Sequence, residues 1–129
     1  MIIDTDVLIG YLRGNLRAKA VVEEHIPFSI SAVTCMELIQ GMRDKAEFRK
    51  FQRQMKFWKV QVIQIDPEIS SRAIFYVQEY FLSHSMQMAD ALIAATAIQS
   101  GDSLLTANNK HYKHIPNIEV KRFVPGGRA

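Results

Sequence analysis

The residues with the clearest chemical potential in this sequence are three acids set against apolar runs. Asp4 ends Met1-Ile2-Ile3, Glu37 precedes Leu38-Ile39, and Asp90 precedes Ala91-Leu92-Ile93. Neighbours of that kind draw a carboxylate toward the interior, where an ionised group needs a partner. If the three meet, like charges at about 4 Å repel by about 4 kcal/mol at an effective dielectric of about 20. A bound divalent cation removes that repulsion. An all-oxygen ligand set suits Mg²⁺, with Mn²⁺ as a substitute, rather than zinc. Such an ion polarises a phosphoryl oxygen and lowers the pKa of a bound water, so the chemistry on offer is hydrolysis of a phosphodiester.

Each acid also has an ordinary structural reading. Asp4 suits the N-cap of a first helix, and Asp90 suits the dipole of a later one. Thr34 and Glu37 have the spacing of a capping box, which would make Glu37 a structural residue at the third helical position. These readings explain each acid singly but not their shared placement.

The elements that must position them follow from periodicity and punctuation. Met1–Asp4 reads as a buried strand and Val7–Leu12 as a helix. Gly14-Asn15 is a turn, and a second short helix runs to about His25. Pro27 stops that helix; Phe28–Ser31 is the next strand, and Val33–Met42 the next helix. Asp44–Lys59 has apolar residues at Phe48, Phe51, Met55 and Trp58, which is helical spacing with a basic opposite face. Val60–Ile65 alternates as a strand. Asp66-Pro67 opens a helix to about Leu82, with Asp as N-cap and Pro at the first helical position. Met88–Gln99 is another helix, with Gly101 just past its end. Ser103–Thr106 and Ile118–Phe123 are the last strands. Strands alternating with helices imply a three-layer α/β/α fold with a mainly parallel sheet of about five strands. In such sheets ligand sites gather at the carboxyl ends of strands. Asp4, Glu37, Asp90 and Asn108, which follows the fourth strand, all fall at a strand exit or helix entry.

The chain has 129 residues, the size of one domain, and is 48% hydrophobic and 22% charged, which suits a packed core and excludes a disordered chain. Residues 1–124 are read as the domain, and Pro125–Ala129 as a disordered tail. The net charge of +3 is mild, but seven of the sixteen cations lie between Arg43 and Lys59. Cys35 is the lone cysteine, so no internal disulfide forms and a reducing, cytoplasmic setting is expected. Asp4 and Asp6 break the first apolar run and argue against a secretory signal, and no run approaches the roughly 18 apolar residues of a membrane span.

Four segments together resemble the PIN-domain nucleases. Met1-Ile2-Ile3-Asp4-Thr5-Asp6-Val7-Leu8-Ile9 is similar to their opening. Ser31-Ala32-Val33-Thr34-Cys35-Met36-Glu37-Leu38-Ile39-Gln40-Gly41 resembles their second acidic motif, and Ala89-Asp90-Ala91-Leu92-Ile93-Ala94-Ala95-Thr96-Ala97 their third. Leu104-Leu105-Thr106-Ala107-Asn108-Asn109-Lys110-His111-Tyr112 resembles the fourth, where a Thr precedes an acid or Asn and an aromatic follows. Order, spacing and length resemble the short toxins of bacterial toxin–antitoxin pairs, the VapC type. The resemblance implies a Mg²⁺-dependent endoribonuclease, usually dimeric, inhibited by a cognate antitoxin. Asp4, Glu37 and Asp90 would be its metal ligands, with Asn108 an auxiliary standing where many members have an acid. Asp6 and Thr106 are expected to support the site.

The basic helix Asp44–Lys59 is read first as a surface helix packing Phe48, Phe51, Met55 and Trp58 inward. Its basic face could instead meet RNA phosphates. A third reading makes it one wall of an antitoxin groove, with Met36, Phe48 and Trp58 as contacts. The helix Glu68–Leu82 is apolar on more than one face, which points to a homodimer contact or to burial between layers. Lys110, His111 and Lys113 could grip substrate; Tyr112 is read as an anchor for that loop. Asp4-Thr5-Asp6-Val7 also resembles the nucleophile motif of haloacid-dehalogenase-type phosphatases, with Asp4 as nucleophile. That alternative leaves Glu37 and Asp90 without a role. A non-catalytic RNA- or protein-binding member of the PIN fold is the second alternative.

Overall fold

A computed structural model of the chain describes residues 1–126. Gly127–Ala129 of the expected tail lie outside the described residues. Five short strands, β1 (Ile2–Ile3), β2 (Ser29–Ser31), β3 (Gln61–Ile63), β4 (Leu104–Thr106) and β5 (Val120–Arg122), form one sheet in the order β3-β2-β1-β4-β5. Every pairing is parallel. The helices are α1 (Thr5–Leu12), α2 (Leu16–Glu24), α3 (Ala32–Gln40), α4 (Lys45–Trp58), α5 (Pro67–Tyr80) and α6 (Met88–Ser100).

The pleat divides the sheet's side chains between two cores. Ile2 and Leu104 point to one side, into a cluster with Ile69 and Tyr76 of α5 and the Ala-rich face of α6. Ile3 and Leu105 point to the other, into a cluster with Val7 and Leu8 of α1, Val22 of α2, Phe51 and Trp58 of α4, and Ile30 of β2. That alternation is what a strand buried on both faces requires. It makes the three layers of the expected fold. α6 lies between the sheet and α5, and its small residues Ala91, Ala94, Ala95 and Ala97 let both approach closely.

Element ends follow local chemistry. Asp44 and Asp66 cap α4 and α5 by accepting hydrogen bonds from Glu47 N and Ile69 N, and Pro67 takes the first helical position of α5. Gly101 ends α6 in the left-handed region at φ 64°. Most strands are shorter than expected, β3 as Gln61–Ile63 and β5 as Val120–Arg122, and two helix starts differ in their caps. α1 starts at Thr5 rather than Val7, because the Asp4 carboxylate accepts from Thr5 N and caps the helix directly after the strand. The cap of α3 is Ser31, whose hydroxyl accepts from Val33 N, so Thr34 and Glu37 do not form a capping box.

The two long helices settle readings left open by sequence. In α4, Phe51 and Trp58 are buried and Phe48 and Met55 pack against them, with the charged side chains outside. Trp58 is fully buried against Tyr11 and Phe28 and so forms no groove wall. α5 is not sandwiched: it buries Ile69, Ala73 and Tyr76 but leaves Ile74 and Phe75 exposed, as are Phe81, Leu82 and Met88 beyond it. Cys35 is half-buried against the α1/α4 core. Among the described residues, no helix is long and apolar enough to cross a membrane.

Candidate active site

The strand order reverses between β1 and β4, the place where open parallel sheets form their sites. Ile2 and Ile3 are in register with Leu104 and Leu105, so Asp4 and Thr106 leave the sheet side by side. The Thr106 hydroxyl donates to Asp4 Oδ2 at 2.8 Å and accepts from Asn108 N at 3.0 Å, so it both supports the acid and caps the turn. Asp4 is 6% exposed. Its other hydrogen bonds come from Thr5 N to Oδ1, 2.8 Å, and from the Tyr112 hydroxyl to Oδ2, 3.0 Å. Burial, and then the charge of Asp6, push the Asp4 carboxyl up to about 7, against the pull of those donors.

Asp6, in the first turn of α1, faces the same turn. Its Oδ2 accepts from Ala107 N at 3.1 Å and from Asn108 Nδ2 at 2.7 Å. Its Oδ1 is buried without a hydrogen-bond partner. Burial raises the carboxyl here too, and the backbone donors at Val7 and Ala107 oppose it. Asp6 is thus half-buried and tied to the turn after β4. The amide of Asn108 donates to Asp6, where a second carboxylate would repel it.

Glu37 and Asp90 approach from helices. Glu37 stands in the second turn of α3, where its Oε1 accepts from the Thr5 hydroxyl at 2.6 Å. Thr34, fully buried, sits 3.0 Å from that same hydroxyl. Asp90, in the first turn of α6, accepts from the Tyr112 hydroxyl at Oδ1, 3.2 Å, and His111 Nδ1 lies 3.3 Å from its Oδ2. Thus Tyr112 ties Asp4 to Asp90, and Thr5 ties Glu37 to the helix that Asp4 caps.

Three groups here were not singled out as site residues by sequence: Tyr112, Thr5 and Thr34. Tyr112 stands at the aromatic position of the fourth motif, but that pattern asks for a ring and says nothing of a hydroxyl. Burial, then the charges of Asp4 and Asp90, raise its phenol, which stays a protonated donor. Lys110 and Lys113 are exposed at the rim. His111 lies beside Asp90, whereas His114 stacks on His84 at 4.1 Å and lies beside Met86.

The residues can be tested against a divalent cation. All the donors are oxygens, the choice of hard ions. Asp6 Oδ1 is a buried oxygen with nothing to bond, and burial raises the Asp4 carboxyl, a cost that a positive charge beside it would offset. Among the described residues, no three His, Cys, Asp or Glu side chains stand close enough together to hold a metal ion between them. Mg²⁺ needs no such group, since it keeps several waters and binds through one or two carboxylates. The donor set fits a hydrated hard ion.

With this geometry in place, known proteins can be compared. The PIN domain family matches residues 1–117. Ribonuclease VapC10 of Mycobacterium tuberculosis is 35% identical over 132 residues, covering 99% of this chain and 97% of the relative. A toxin–antitoxin complex from Klebsiella pneumoniae contains a chain with TM-score 0.74 and 29% identity, covering 97% of each chain. VapBC-1 from nontypeable Haemophilus influenzae has TM-score 0.77 at 18% identity, covering 94% of this chain and 96% of that one, a likeness of fold. These matches displace the haloacid-dehalogenase reading, which also lacks support at Asp4, where the bonded groups are an amide and two hydroxyls. The chain belongs to the PIN-domain family, within it to the VapC group.

Proposed function

We propose that this protein is an endoribonuclease toxin that hydrolyses RNA phosphodiester bonds with a divalent cation, Mg²⁺ or in its place Mn²⁺. The observation that carries the reading is the meeting of Asp4 and Asp90, from distant parts of the chain, at one buried hydroxyl beside the reversal of strand order. The name of the 35% identical relative, a ribonuclease, supports the same reaction.

Asp4 and Asp90 would hold the ion directly and Glu37 through a water of its shell. When bound, the cation supplies polarisation of the phosphoryl oxygen and activation of a water for in-line attack. The chain's own residues prepare the place. Thr106, Thr5 N and Tyr112 orient the Asp4 carboxylate, and Thr5 orients Glu37. Asn108 holds Asp6 and acts as an auxiliary through it. Lys110, His111 and Lys113 stand at the rim, placed to meet the phosphates of an incoming strand. The products are a 5′-phosphate and a 3′-hydroxyl.

Two further surfaces fit this role. A groove of about 790 Å³ between α1, α3 and α4 has Ile9, Leu38 and Phe51 on its floor and Arg13, Arg43 and Lys50 on its margin, and Glu37 also lines it. An antitoxin segment with apolar anchors and acidic flanks matches that surface. Leu38 and Phe51 thus take the place that Met36, Phe48 and Trp58 were expected to hold, none of which lines this groove. The exposed apolar face of α5 suits a homodimer contact. The lone Cys35 fits a cytoplasmic protein.

The test is incubation of the pure protein with structured RNA in Mg²⁺ and in EDTA, followed by sequencing of the ends. Cleavage is expected in Mg²⁺ only, and lost in Asp4→Ala and Asp90→Ala. Cleavage that survives chelation or either substitution overturns the proposal. RNA binding without turnover in any metal makes the protein a non-catalytic binder instead.

A further inference from the structure

We propose that Tyr112 is a positioning residue for the divalent cation: its hydroxyl, shared by Asp4 and Asp90, holds the two carboxylates together in the arrangement from which they take the ion. The inference rests on the assignment of Asp4 and Asp90 as ligands made above.

Nothing local joins these two acids. Asp4 ends β1 and Asp90 opens α6, 86 positions apart by their numbers. One atom reaches both, the Tyr112 oxygen at 3.0 and 3.2 Å. The ring that carries it is fully buried, packed in the cluster that holds Ile2, Ala91 and Ile115. A ring so enclosed keeps its hydroxyl at a fixed point. A phenol has one proton, and the near-equal distances let either carboxylate receive it. The hydroxyl thus donates to one carboxylate at a time, or shares its proton between both, and neutralises neither.

It also leaves room for the ion. A carboxylate has about four lone-pair sites. Asp4 uses three of its own, on Thr5 N, Thr106 and Tyr112. Asp90 accepts from Tyr112 and lies beside His111. Each carboxylate is thus fixed in rotation while keeping acceptor capacity. Partners that orient a metal ligand in this way cost about tenfold to a hundredfold in metal affinity when removed. A phenylalanine would fill the same space, so packing alone does not call for the hydroxyl.

Tyr76 supplies a control. It is buried in the same cluster, and among the described residues its hydroxyl has no bond to an acid. Metal-free wild type, Tyr112→Phe, Tyr76→Phe and Asp90→Asn are titrated with MnCl₂ by calorimetry. The expected result is Mn²⁺ binding weakened about tenfold to a hundredfold in Tyr112→Phe, unchanged in Tyr76→Phe and lost in Asp90→Asn. Wild-type affinity in Tyr112→Phe, with binding lost in Asp90→Asn, overturns the role of Tyr112 and leaves the cation site standing. Wild-type affinity in Asp90→Asn overturns the site itself, and the proposed function with it. Should Tyr112→Phe not fold, the near-UV difference spectrum of wild type on adding MgCl₂ decides. A tyrosine perturbation that Asp90→Asn lacks is expected, and its absence from wild type overturns the proposal.

Discussion

The acid site has an inner and an outer half, and they are built differently. The inner pair, Asp4 and Asp6, sits at the end of β1 and is held by hydroxyl, amide and backbone donors from the β4 turn. The outer pair, Glu37 and Asp90, lies on helices, is part-exposed, and is oriented by one hydroxyl each, Thr5 and Tyr112. The inner half stores electrostatic cost, since burial raises both carboxyls and the charge of Asp6 raises Asp4 further. The outer half is left open to solvent and to a substrate. Under the proposed function, a cation bound beside the inner half would relieve that cost.

The sharpest way to break this contrast is Asp4→Asn. The folded Asp4 carboxyl lies at about 7 against an ordinary 3.8. Between those values the folded state binds more proton than the unfolded chain, so metal-free stability falls as pH rises from about 4 through 7. The difference is on the order of 4 kcal/mol once both states are ionised. Melting in EDTA at pH 5 and pH 8 is expected to show a lower midpoint at pH 8 for wild type and a much flatter dependence for Asp4→Asn. Equal slopes would mean that Asp4 carries no such cost.

A smaller effect is expected at Asn108→Asp. It replaces the amide that donates to Asp6 with a second carboxylate, which should cost about 1–3 kcal/mol in metal-free buffer. Urea unfolding with and without Mg²⁺ measures it. Loss that Mg²⁺ partly restores places the inner acids within reach of the ion; loss that Mg²⁺ leaves untouched separates them from it.

The smallest effect belongs to the outer half. His111 is 42% exposed on its side chain where it lies beside Asp90, so His111→Ala should change stability by no more than about 1 kcal/mol. A loss comparable with that at Asn108, read in the same urea series, would erase the distinction between the halves.

Much of this was legible in the sequence because it rests on local rules. Asp44 and Asp66-Pro67 announced their helices, Gly101 marked the end of α6, and the apolar spacing of α4 placed Phe51 and Trp58 inside. The three acids were visible because each interrupts an apolar run. Where reading failed, a local rule lost to a longer contact. Thr34 and Glu37 have capping-box spacing, yet Ser31 takes the cap and Thr34 turns to Thr5, 29 positions away. What Asp6 bonds to was not legible either, because its partners, Ala107 and Asn108, lie about a hundred positions on.

What the sequence alone determined is the list of elements, the parallel three-layer fold and the family, since periodicity, caps and motifs act within a few residues. The tertiary structure decided which groups share a proton. The hydroxyl of Tyr112 reaches Asp4 and Asp90 only because α6 is pressed between sheet and α5, and because the turn after β4 buries the ring beneath it. A hydrogen bond of that kind depends on distances set by packing, which no spacing along the chain encodes.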